Sequence, residues 1–333
     1  MKRGALLARA VMLLAAAGGG YLLYRNLSRY SLPELLQSIY AIPLSDGLIA
    51  FCFVVLSYLT LAGFDGTALL YLGRRISAPK VLLTSFTALS IGHNVGVSLL
   101  SSAAVRYRYY SRWGLSTAEV GQLVIFCGVT VALGIASLAG ITMLIPLGQI
   151  QTFGFQNQGA VTLIGLAILL FPISYLLAAL LLPRRVHFWR WDVMVPGWHL
   201  AVAQIVIGTM NFTFVSASLY FLLRESTDVR FLDVANGYAV ANILAILSHV
   251  PGGLGVLEAG LVYALPGDVP FGVLIAFRIL YYFIPLSLGL PLLLLTEAVN
   301  LRGRSNSQQR HQKGVEVNRL SRRINGPDQR TNR

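Results

Sequence analysis

The sequence predicts an all-α, polytopic membrane protein, and three observations carry that prediction. Of the 333 residues, 56% are hydrophobic and 12% are charged, whereas about 25% are charged in an ordinary soluble domain. The apolar residues form long runs, and most Lys and Arg residues cluster between them. A bilayer core about 30 Å thick needs about 20 helical residues. Eight segments are candidates by this measure: Ala5 to Tyr24, Leu48 to Leu72, Val81 to Val105, Val120 to Leu147, Ala160 to Leu182, Leu200 to Leu223, Ala235 to Leu265 and Phe271 to Val299.

The first segment begins like a secretory signal peptide, because Lys2, Arg3 and Arg9 accompany a short apolar stretch. A cleaved signal peptide also needs a small-x-small site followed by polar sequence. The stretch AAAGGGYLLYRN has no clear site of this kind. We therefore expect an uncleaved span.

The distribution of basic residues predicts the topology. If all eight segments span, the arginine clusters at 106–112 and 184–190 lie outside the cytoplasm, against the positive-inside tendency. If the third and seventh segments instead re-enter and return to the side they came from, both clusters and most of the 26 Lys and Arg residues become cytoplasmic. The prediction is six full spans and two opposed re-entrant helical hairpins, with both termini in the cytoplasm.

Helix breakers lie near the middle of those two segments, where the hairpins need turns. Non-helical backbone at membrane depth is tolerated only where protein or water satisfies it, so such turns indicate an internal cavity or a packed interface. A plain kinked helix is the alternative. The predicted turn residues are Gly92, Asn94 and Gly96 in the third segment, and Pro251, Gly252, Gly253 and Gly255 in the seventh.

A weak internal sequence similarity, which we call the echo, relates the two hairpins. A shift of 156 positions aligns His93 with His249 and Gly96 with Gly252 without a gap, and it also aligns Ala103 with Ala259 and Tyr107 with Tyr263. Hairpins that enter from opposite faces are typical of inverted-topology repeats, which place substrate sites at their interface. An inverted repeat is therefore a hypothesis that the charge bias, the breakers and the echo support together.

Arg278 is seven residues into an otherwise apolar helix, and Tyr281 and Tyr282 follow at i+3 and i+4 on the same predicted face. An arginine within the membrane is costly when it faces lipid, so it should face inward and meet an anion. That anion is either an acidic side chain, Asp65 or Glu258, or a substrate phosphate, whose oxygens suit the planar guanidinium fork.

Three further charged residues are candidates for the same site. Asp65 precedes Arg74 by nine residues, about 13 Å of helix rise, which places it within the hydrocarbon zone. Glu258 lies on the returning arm of the second hairpin, and Arg106 lies at the comparable end of the first. Arg106 is equally well explained as an interfacial anchor beside the aromatic residues of YRYYSRW. For Asp65 the alternative is a locally bonded or protonated acid.

His93 and His249 are interpreted either as hydrogen-bonded core histidines or as proton carriers. Cys52 and Cys127 lie in apolar runs and predict no disulfide or metal site. The sequence contains no Gly-x-Ser-x-Gly, no Walker-type loop, no His-Glu-x-x-His and no Cys/His cluster. We therefore expect no catalytic residues, no metal and no cofactor.

Residues 301–333 form a basic tail with nine Lys or Arg and two Asp or Glu residues. The tail has almost no apolar periodicity, so we expect a disordered cytoplasmic segment behind a membrane domain of residues 1–300. Its charge suits a topology anchor or contact with anionic lipid headgroups. We expect no nucleic-acid binding, because no aromatic residues interleave the charges.

The stretch SIGHNVGVSLLSSAAVRYRYYSRWGLS, followed far downstream by HVPGGLGVLEAG, resembles the transmembrane region of bacterial lysylphosphatidylglycerol synthetases, the multiple peptide resistance factor family, and of their stand-alone YbhN-like relatives. The resemblance covers roughly residues 5 to 300. In fused family members this region is regarded as a lipid flippase, and a cytosolic domain transfers lysine to phosphatidylglycerol. The resemblance therefore implies the flippase-like half in an inner membrane, without aminoacyl transfer.

By the same resemblance, Asp65, Arg106, Glu258 and Arg278 are the residues expected to matter for translocation. From their place in the sequence, His93, His249 and Tyr281 are further predicted residues of the substrate site. The expected partner is a phospholipid or lipid-linked substrate, and a lipid-synthesis protein or a second copy of the chain is a further candidate. Two alternatives stay open. One is a non-transporting scaffold or regulator of envelope lipid synthesis, and the other is an intramembrane lipid-modifying enzyme.

Overall fold

The computed structural model describes residues 32–94, 98–145, 157–183, 185–188 and 191–299. Within these ranges the chain is organised around ten α-helices, which confirms the all-α, polytopic prediction. They are α1 Leu32–Tyr40, α2 Leu44–Tyr71, α3 Ala78–Gly92, α4 Ser98–Tyr110, α5 Thr117–Leu144, α6 Gln158–Leu181, α7 Trp198–Leu223, α8 Phe231–Ser248, α9 Val256–Ala264 and α10 Phe271–Val299.

A short β-hairpin between α6 and α7 is an addition that the sequence did not predict. Its strands, β1 Arg185–Phe188 and β2 Trp191–Met194, pair antiparallel with Arg185 opposite Met194. Single 3₁₀ turns follow α4 at Ser111–Trp113 and precede α9 at Pro251–Gly253. The strands belong to a connection between helices and leave the fold class unchanged.

Six of the described helices are long and apolar enough to cross a membrane: α2, α5, α6, α7, α8 and α10. Five of them match predicted full spans, whereas the predicted span at 5–24 and the tail at 301–333 lie outside the described residues. The sixth, α8, belongs to the segment predicted to re-enter. Its 18 residues rise about 27 Å, enough to cross by itself. The length of α8 therefore does not decide whether the segment at 235–265 spans the membrane or re-enters, and re-entry stays a prediction.

Local signals explain where several helices begin. Ser116 precedes α5, and its hydroxyl accepts a hydrogen bond from the Glu119 N–H while the Glu119 carboxylate accepts one from the Ser116 N–H. This reciprocal capping box satisfies two backbone donors that the first helical turn would otherwise leave free. Pro270 immediately precedes α10, where a missing N–H costs little.

Glycines allow α5 to pack closely on both of its neighbours. Gly134 of α5 lies directly against the backbone of Gly208 in α7, and Gly140 of α5 lies against Gly165 of α6. Small residues at helix crossings bring backbones together, and in lipid this close packing supplies much of the association energy. The close packing of helices at the centre of the bundle therefore requires glycine at these four positions.

Gly208→Ala is expected to lower the free energy of unfolding by about 1–3 kcal/mol, because overpacking forces the backbones apart. The new Cβ would lie 2.6 Å from the Thr130 carbonyl oxygen and 3.0 Å from the Gly134 Cα. SDS titration of the purified protein measures the change. Gly121→Ala is the matched control, since a Cβ added there would meet no heavy atom within 4 Å. An equal loss in both variants would exclude the crossing as the cause.

The helix bundle has two ends, which we name by residues that close them. At the Arg74 end, Arg74 donates to Glu119 over 2.6 Å, and the Tyr71 hydroxyl donates to the Met194 carbonyl over 2.8 Å. Glu297, near the end of α10, accepts bonds from Arg108 and Arg112 at the same end. At the Asp46 end, the start of α2 meets the end of α7.

The Asp46 end is held together by an ion pair between Arg224 and Asp46. Arg224 donates to both carboxylate oxygens of Asp46 over 2.9 and 2.7 Å. The Asp46 carboxylate is buried, whereas Arg224 is 37% exposed. Because the two pairs Arg74–Glu119 and Asp46–Arg224 lie at opposite ends of α2, they mark the two ends of the bundle.

The segment between α2 and α5 leaves the Arg74 end and returns to it. Lys80, at the start of α3, lies over the ring of Trp113, just beyond the end of α4, at 5.2 Å. The α3 and α4 helices pack against each other, and α3 ends at Gly92 with His93 as its C-cap. This packing agrees with the predicted first hairpin, and its re-entry into the membrane stays a prediction.

The segment from α8 to α9 leaves the Asp46 end of the bundle and returns towards the same end. Gly237, near the start of α8, lies beside Ala264 and Leu265 at the end of α9. The two helices pack against each other on either side of the turn at Pro251–Gly253. The two hairpins therefore start from opposite ends of the bundle, as the inverted-repeat hypothesis requires.

Candidate functional site

The turns of the two hairpins meet inside the bundle. A Cβ on Gly252 would lie 3.3 Å from the His93 carbonyl oxygen and 3.9 Å from the Asn94 Cα. Gly252, Gly253 and Gly255 have φ values of +58°, +59° and +78°, which favour glycine over any residue with a Cβ. The predicted turn residues are thus brought together, with the exception of Gly96, which lies outside the described residues.

The first charged cluster, which we name the Asp65 cluster, joins α2, α4 and α5. Arg106 donates from Nε and Nη2 to the Asp65 carboxylate, with a shortest distance of 2.8 Å. The Tyr110 hydroxyl donates to the same carboxylate over 2.8 Å, and the Cys127 thiol lies 3.5 Å away. Asp65 is 0% exposed and Arg106 is 3% exposed. This pair is therefore a fully buried, bidentate ion pair.

The second, which we name the Arg278 cluster, holds the turn of the second hairpin. Arg278 donates from Nε and Nη2 to the Glu258 carboxylate, and from Nη1 and Nη2 to the carbonyls of Gly252 and Gly253. Its guanidinium lies 4.8 Å from the centre of the Tyr282 ring. One planar cation thus binds an acid and two turn carbonyls, which a single point charge does poorly.

Glu258 has a second role in this cluster, because it also begins α9. Its carboxylate accepts a hydrogen bond from the Gly255 N–H over 2.8 Å. A carboxylate three residues into a helix satisfies a free N–H and interacts favourably with the helix dipole. The turn, the following helix and Arg278 are therefore coupled through one carboxylate.

A π-helical turn at Ile279–Phe283 carries two tyrosines into the interior. Pro285 lacks an N–H, so the Tyr281 carbonyl loses its usual i+4 donor. The Tyr58 hydroxyl donates to that carbonyl over 3.2 Å, and the Asn94 side-chain amide donates to the Tyr282 carbonyl over 3.2 Å. π turns occur frequently at functional sites. Side chains from α2 and from the first hairpin turn thus stabilise the π turn at Ile279–Phe283.

Tyr281, a predicted site residue, stacks on His93 with ring centres 5.8 Å apart. Tyr58 closes the group, 6.2 Å from His93 and 5.7 Å from Tyr281. The Tyr281 hydroxyl lies 3.3 Å from the Ser57 hydroxyl, which donates to Asn211. His93 Nδ1 has no hydrogen-bond partner among the described residues. We name Tyr58, His93, Tyr281 and Tyr282 the aromatic cluster.

His249 has different surroundings from His93, although the echo aligned them. It is exposed, ends α8 with a left-handed φ of +54°, and its Nδ1 lies 2.8 Å from the Leu247 carbonyl oxygen. The structure therefore brings His93 to the meeting point of the turns and leaves His249 outside it. Both residues end a helix, but φ is −65° at His93 and +54° at His249, so the chain leaves the two helices in different directions.

The Asp65 cluster and the aromatic cluster are related through one face of α2. Tyr58 and Asp65 are seven residues apart, two helical turns on the same face and about 11 Å of rise. The sequence did not single out Tyr58, Tyr110 and Asn211, or the π turn. Tyr110 had a visible signal, because it follows Arg106 at i+4. Among the described residues, no three His, Cys, Asp or Glu side chains are grouped to hold a metal ion.

Two known proteins align with most of this chain. The inner membrane protein YbhN of Escherichia coli (strain K12) is 30% identical over 262 residues, covering 76% of this chain and 81% of YbhN. An uncharacterized protein of Synechocystis, slr0712, is 31% identical over 241 residues, covering 71% of this chain and 75% of that protein. No family model matches the chain, so the link to the lysylphosphatidylglycerol synthetases stays a prediction. With its helical spans, the chain belongs to the family of YbhN-like inner membrane proteins.

Proposed function

We propose that this protein moves the polar headgroup of a phospholipid or lipid-linked molecule between the leaflets of the inner membrane. The observation that carries the proposal is the meeting of the two hairpin turns between two buried arginine–carboxylate pairs. In membrane proteins, non-helical backbone in the interior and charged residues that face inward are typical of paths for polar groups. Opposed hairpins are typical of transporters that expose one site alternately to either side.

The chemistry of Arg278 suggests how a headgroup is admitted. Glu258 occupies the Nε and Nη2 donors of the guanidinium, and a lipid phosphate presents the same bidentate geometry. A phosphate and Glu258 therefore compete for one edge of Arg278. Since Arg278 also holds the Gly252 and Gly253 carbonyls, exchange of its acidic partner would loosen the turn.

The Asp65 cluster would supply a second arginine of the same kind, Arg106, on the opposite hairpin. In this role Asp65 balances the arginine while no phosphate is present, or binds a cationic headgroup when Arg106 turns to the phosphate. The proposal places N- and C-termini in the cytoplasm, so that the Arg74 end faces the cytoplasm and the Asp46 end faces outward. No nucleotide is required.

The scaffold alternative is favoured by one observation, which is that both buried arginines already have acidic partners. On that interpretation the two clusters only hold the hairpins together, as a structural ion-pair network. The two functions differ in what happens when a pair is replaced as a whole, because well-packed apolar residues often substitute for a buried ion pair without loss of stability.

The double variant Glu258→Leu/Arg278→Met removes both buried charges together, so the bundle is expected to fold, although the Gly252 and Gly253 carbonyls lose their donors. Lipid movement should slow roughly 10- to 150-fold, the range expected when charge-assisted hydrogen bonds of about 1.5–3 kcal/mol are lost. The measurement is a leaflet-resolved assay in proteoliposomes with fluorescent phosphatidylglycerol. Wild-type protein should accelerate exchange over protein-free vesicles.

The matched control is Asp46→Leu/Arg224→Met, which removes a bidentate pair of the same geometry from the end of the bundle. Its rate should equal the wild-type rate. If wild-type protein fails to accelerate movement of any phospholipid or lipid-linked probe, the translocase proposal is wrong and the scaffold function is favoured. If the wild type is active and the Glu258/Arg278 variant transports equally well, the proposed binding of the headgroup phosphate by Arg278 is wrong.

A further inference from the structure

An apolar groove lies between α2, α3 and the second half of α10. It has a volume of about 290 Å³ and is partly open to the surface. Tyr58 supplies the one hydroxyl among its lining residues, which are Phe51, Val54, Val55, Tyr58, Leu59, Leu82, Phe86, Ile284, Pro285 and Leu288. We propose that this groove binds one acyl chain of a bilayer phospholipid.

The rim of the groove is continuous with the surface that faces lipid. Rim side chains on three different helices are 51% exposed at Leu59, 41% at Leu82 and 56% at Leu288. Two of these helices, α2 and α10, belong to the candidate membrane spans. The medium around such a rim is hydrocarbon, so an acyl chain enters the groove without crossing water or displacing a polar group.

The floor of the groove is buried and different in character. Val54 is 3% exposed and Tyr58 is 8% exposed. The part of α2 that borders the groove, from Phe51 to Leu59, rises about 12 Å. A helix about 10 Å across does not fit a cavity of 290 Å³, whereas a single hydrocarbon chain does. This favours an acyl chain over a whole helix as the occupant.

The groove also contacts the parts of the molecule that meet at the hairpin turns. Tyr58 belongs to the aromatic cluster, and its hydroxyl holds the Tyr281 carbonyl in the π turn. Ile284 and Pro285 line the groove immediately after that turn. An acyl chain in the groove therefore contacts the aromatic cluster through Tyr58. If the proposed function holds, this places the tail of the lipid beside the path of its headgroup, and only that last step rests on the proposed function.

Photo-crosslinking tests the groove without reference to transport. The protein is reconstituted in vesicles of phosphatidylethanolamine and phosphatidylglycerol with a trace of phosphatidylglycerol that carries a diazirine halfway along one acyl chain. Peptide mapping should find the label on the floor residues Val54 and Tyr58, which bulk lipid does not reach. Leu288→Trp, which fills the mouth, should lower this labelling at least about tenfold, since losing two buried methylene groups suffices for that factor.

Leu166→Trp is the matched control, because Leu166 is 49% exposed on α6, away from the groove; it should leave the floor labelling unchanged. Val54→Phe fills the groove from the floor and provides a second variant if Leu288→Trp does not fold. Label confined to the rim, or floor labelling that neither filling variant reduces, would overturn the proposal. A labelled floor in a protein that moves no lipid would leave the groove intact and refute the translocase function alone.

Discussion

Arg106→Ala is expected to lower the free energy of unfolding by about 3–5 kcal/mol, because it leaves a buried carboxylate without its cation. Asp65 is fully buried, and the hydrogen-bond donors left to its carboxylate among the described residues would be the Tyr110 hydroxyl and the Cys127 thiol. Neither group carries a compensating charge. SDS titration or thermal unfolding in detergent measures the loss.

Two comparisons separate the unpaired charge from lost packing. Asp65→Leu/Arg106→Met removes both charges together and should retain nearly wild-type stability. Arg108→Ala, two residues along α4, removes an arginine that is 57% exposed, and should cost less than about 1 kcal/mol. A double variant as unstable as Arg106→Ala would show that packing around the guanidinium, and not the unpaired carboxylate, decides the loss.

The helix segments could be predicted because the thickness of the bilayer sets their length. The charge bias added a prediction that hydropathy alone does not make, namely that the chain returns at 106–112 to the end it left at 73–80. The contact between Lys80 and Trp113 agrees with that prediction. Positive-inside bias works here because it depends on the side of the membrane and not on packing detail.

The partners of the buried charges could not be predicted from the sequence. Hydropathy shows that Arg278 lies in an apolar helix, but it does not show which neighbouring helix its face meets. The sequence left Asp65 and Glu258 as alternative partners, and the structure assigns Glu258 to Arg278 and Asp65 to Arg106. These pairings join residues 20 and 41 positions apart, so they depend on how the two hairpins pack.

The π turn escaped prediction for a similar reason. Pro285 was visible in the sequence, and a proline in a helix frees a carbonyl four residues earlier. Whether the chain kinks, opens or forms a π turn depends on which donors reach that carbonyl. The Tyr58 hydroxyl of α2 donates to that carbonyl, which belongs to Tyr281, and Asn94 of the first hairpin turn donates to the neighbouring Tyr282 carbonyl. A sequence window around Pro285 contains neither of them.

The two charged clusters differ in what they hold. The Asp65 cluster joins helix to helix through side chains alone, whereas Arg278 binds backbone carbonyls of a glycine turn. A change of partner at Arg106 therefore alters the packing of α4 on α2. A change of partner at Arg278 alters the backbone at the point where the hairpins meet. The second cluster is the better candidate for a moving part.

Arg278→Ala is accordingly expected to lower the free energy of unfolding by about 3–5 kcal/mol and also to release the second hairpin turn. Glu258 would keep only its bond from the Gly255 N–H, and the Gly252 and Gly253 carbonyls would lose their donors. Hydrogen exchange of the backbone at 250–256 should therefore rise, beyond the rise spread over the whole bundle, because local opening adds to global unfolding.

Arg278→Lys separates charge from geometry in the same turn. The ammonium can still pair with Glu258, but it lacks the planar fork that reaches the carboxylate and two carbonyls at once. We expect stability between wild type and Arg278→Ala, with turn exchange close to that of Arg278→Ala. Arg230→Ala is the control, since Arg230 is 55% exposed and pairs with Asp233 at the far end of the same hairpin. If Arg278→Lys protects the turn as well as arginine does, the charge alone holds it, and competition by a bidentate phosphate would not open it.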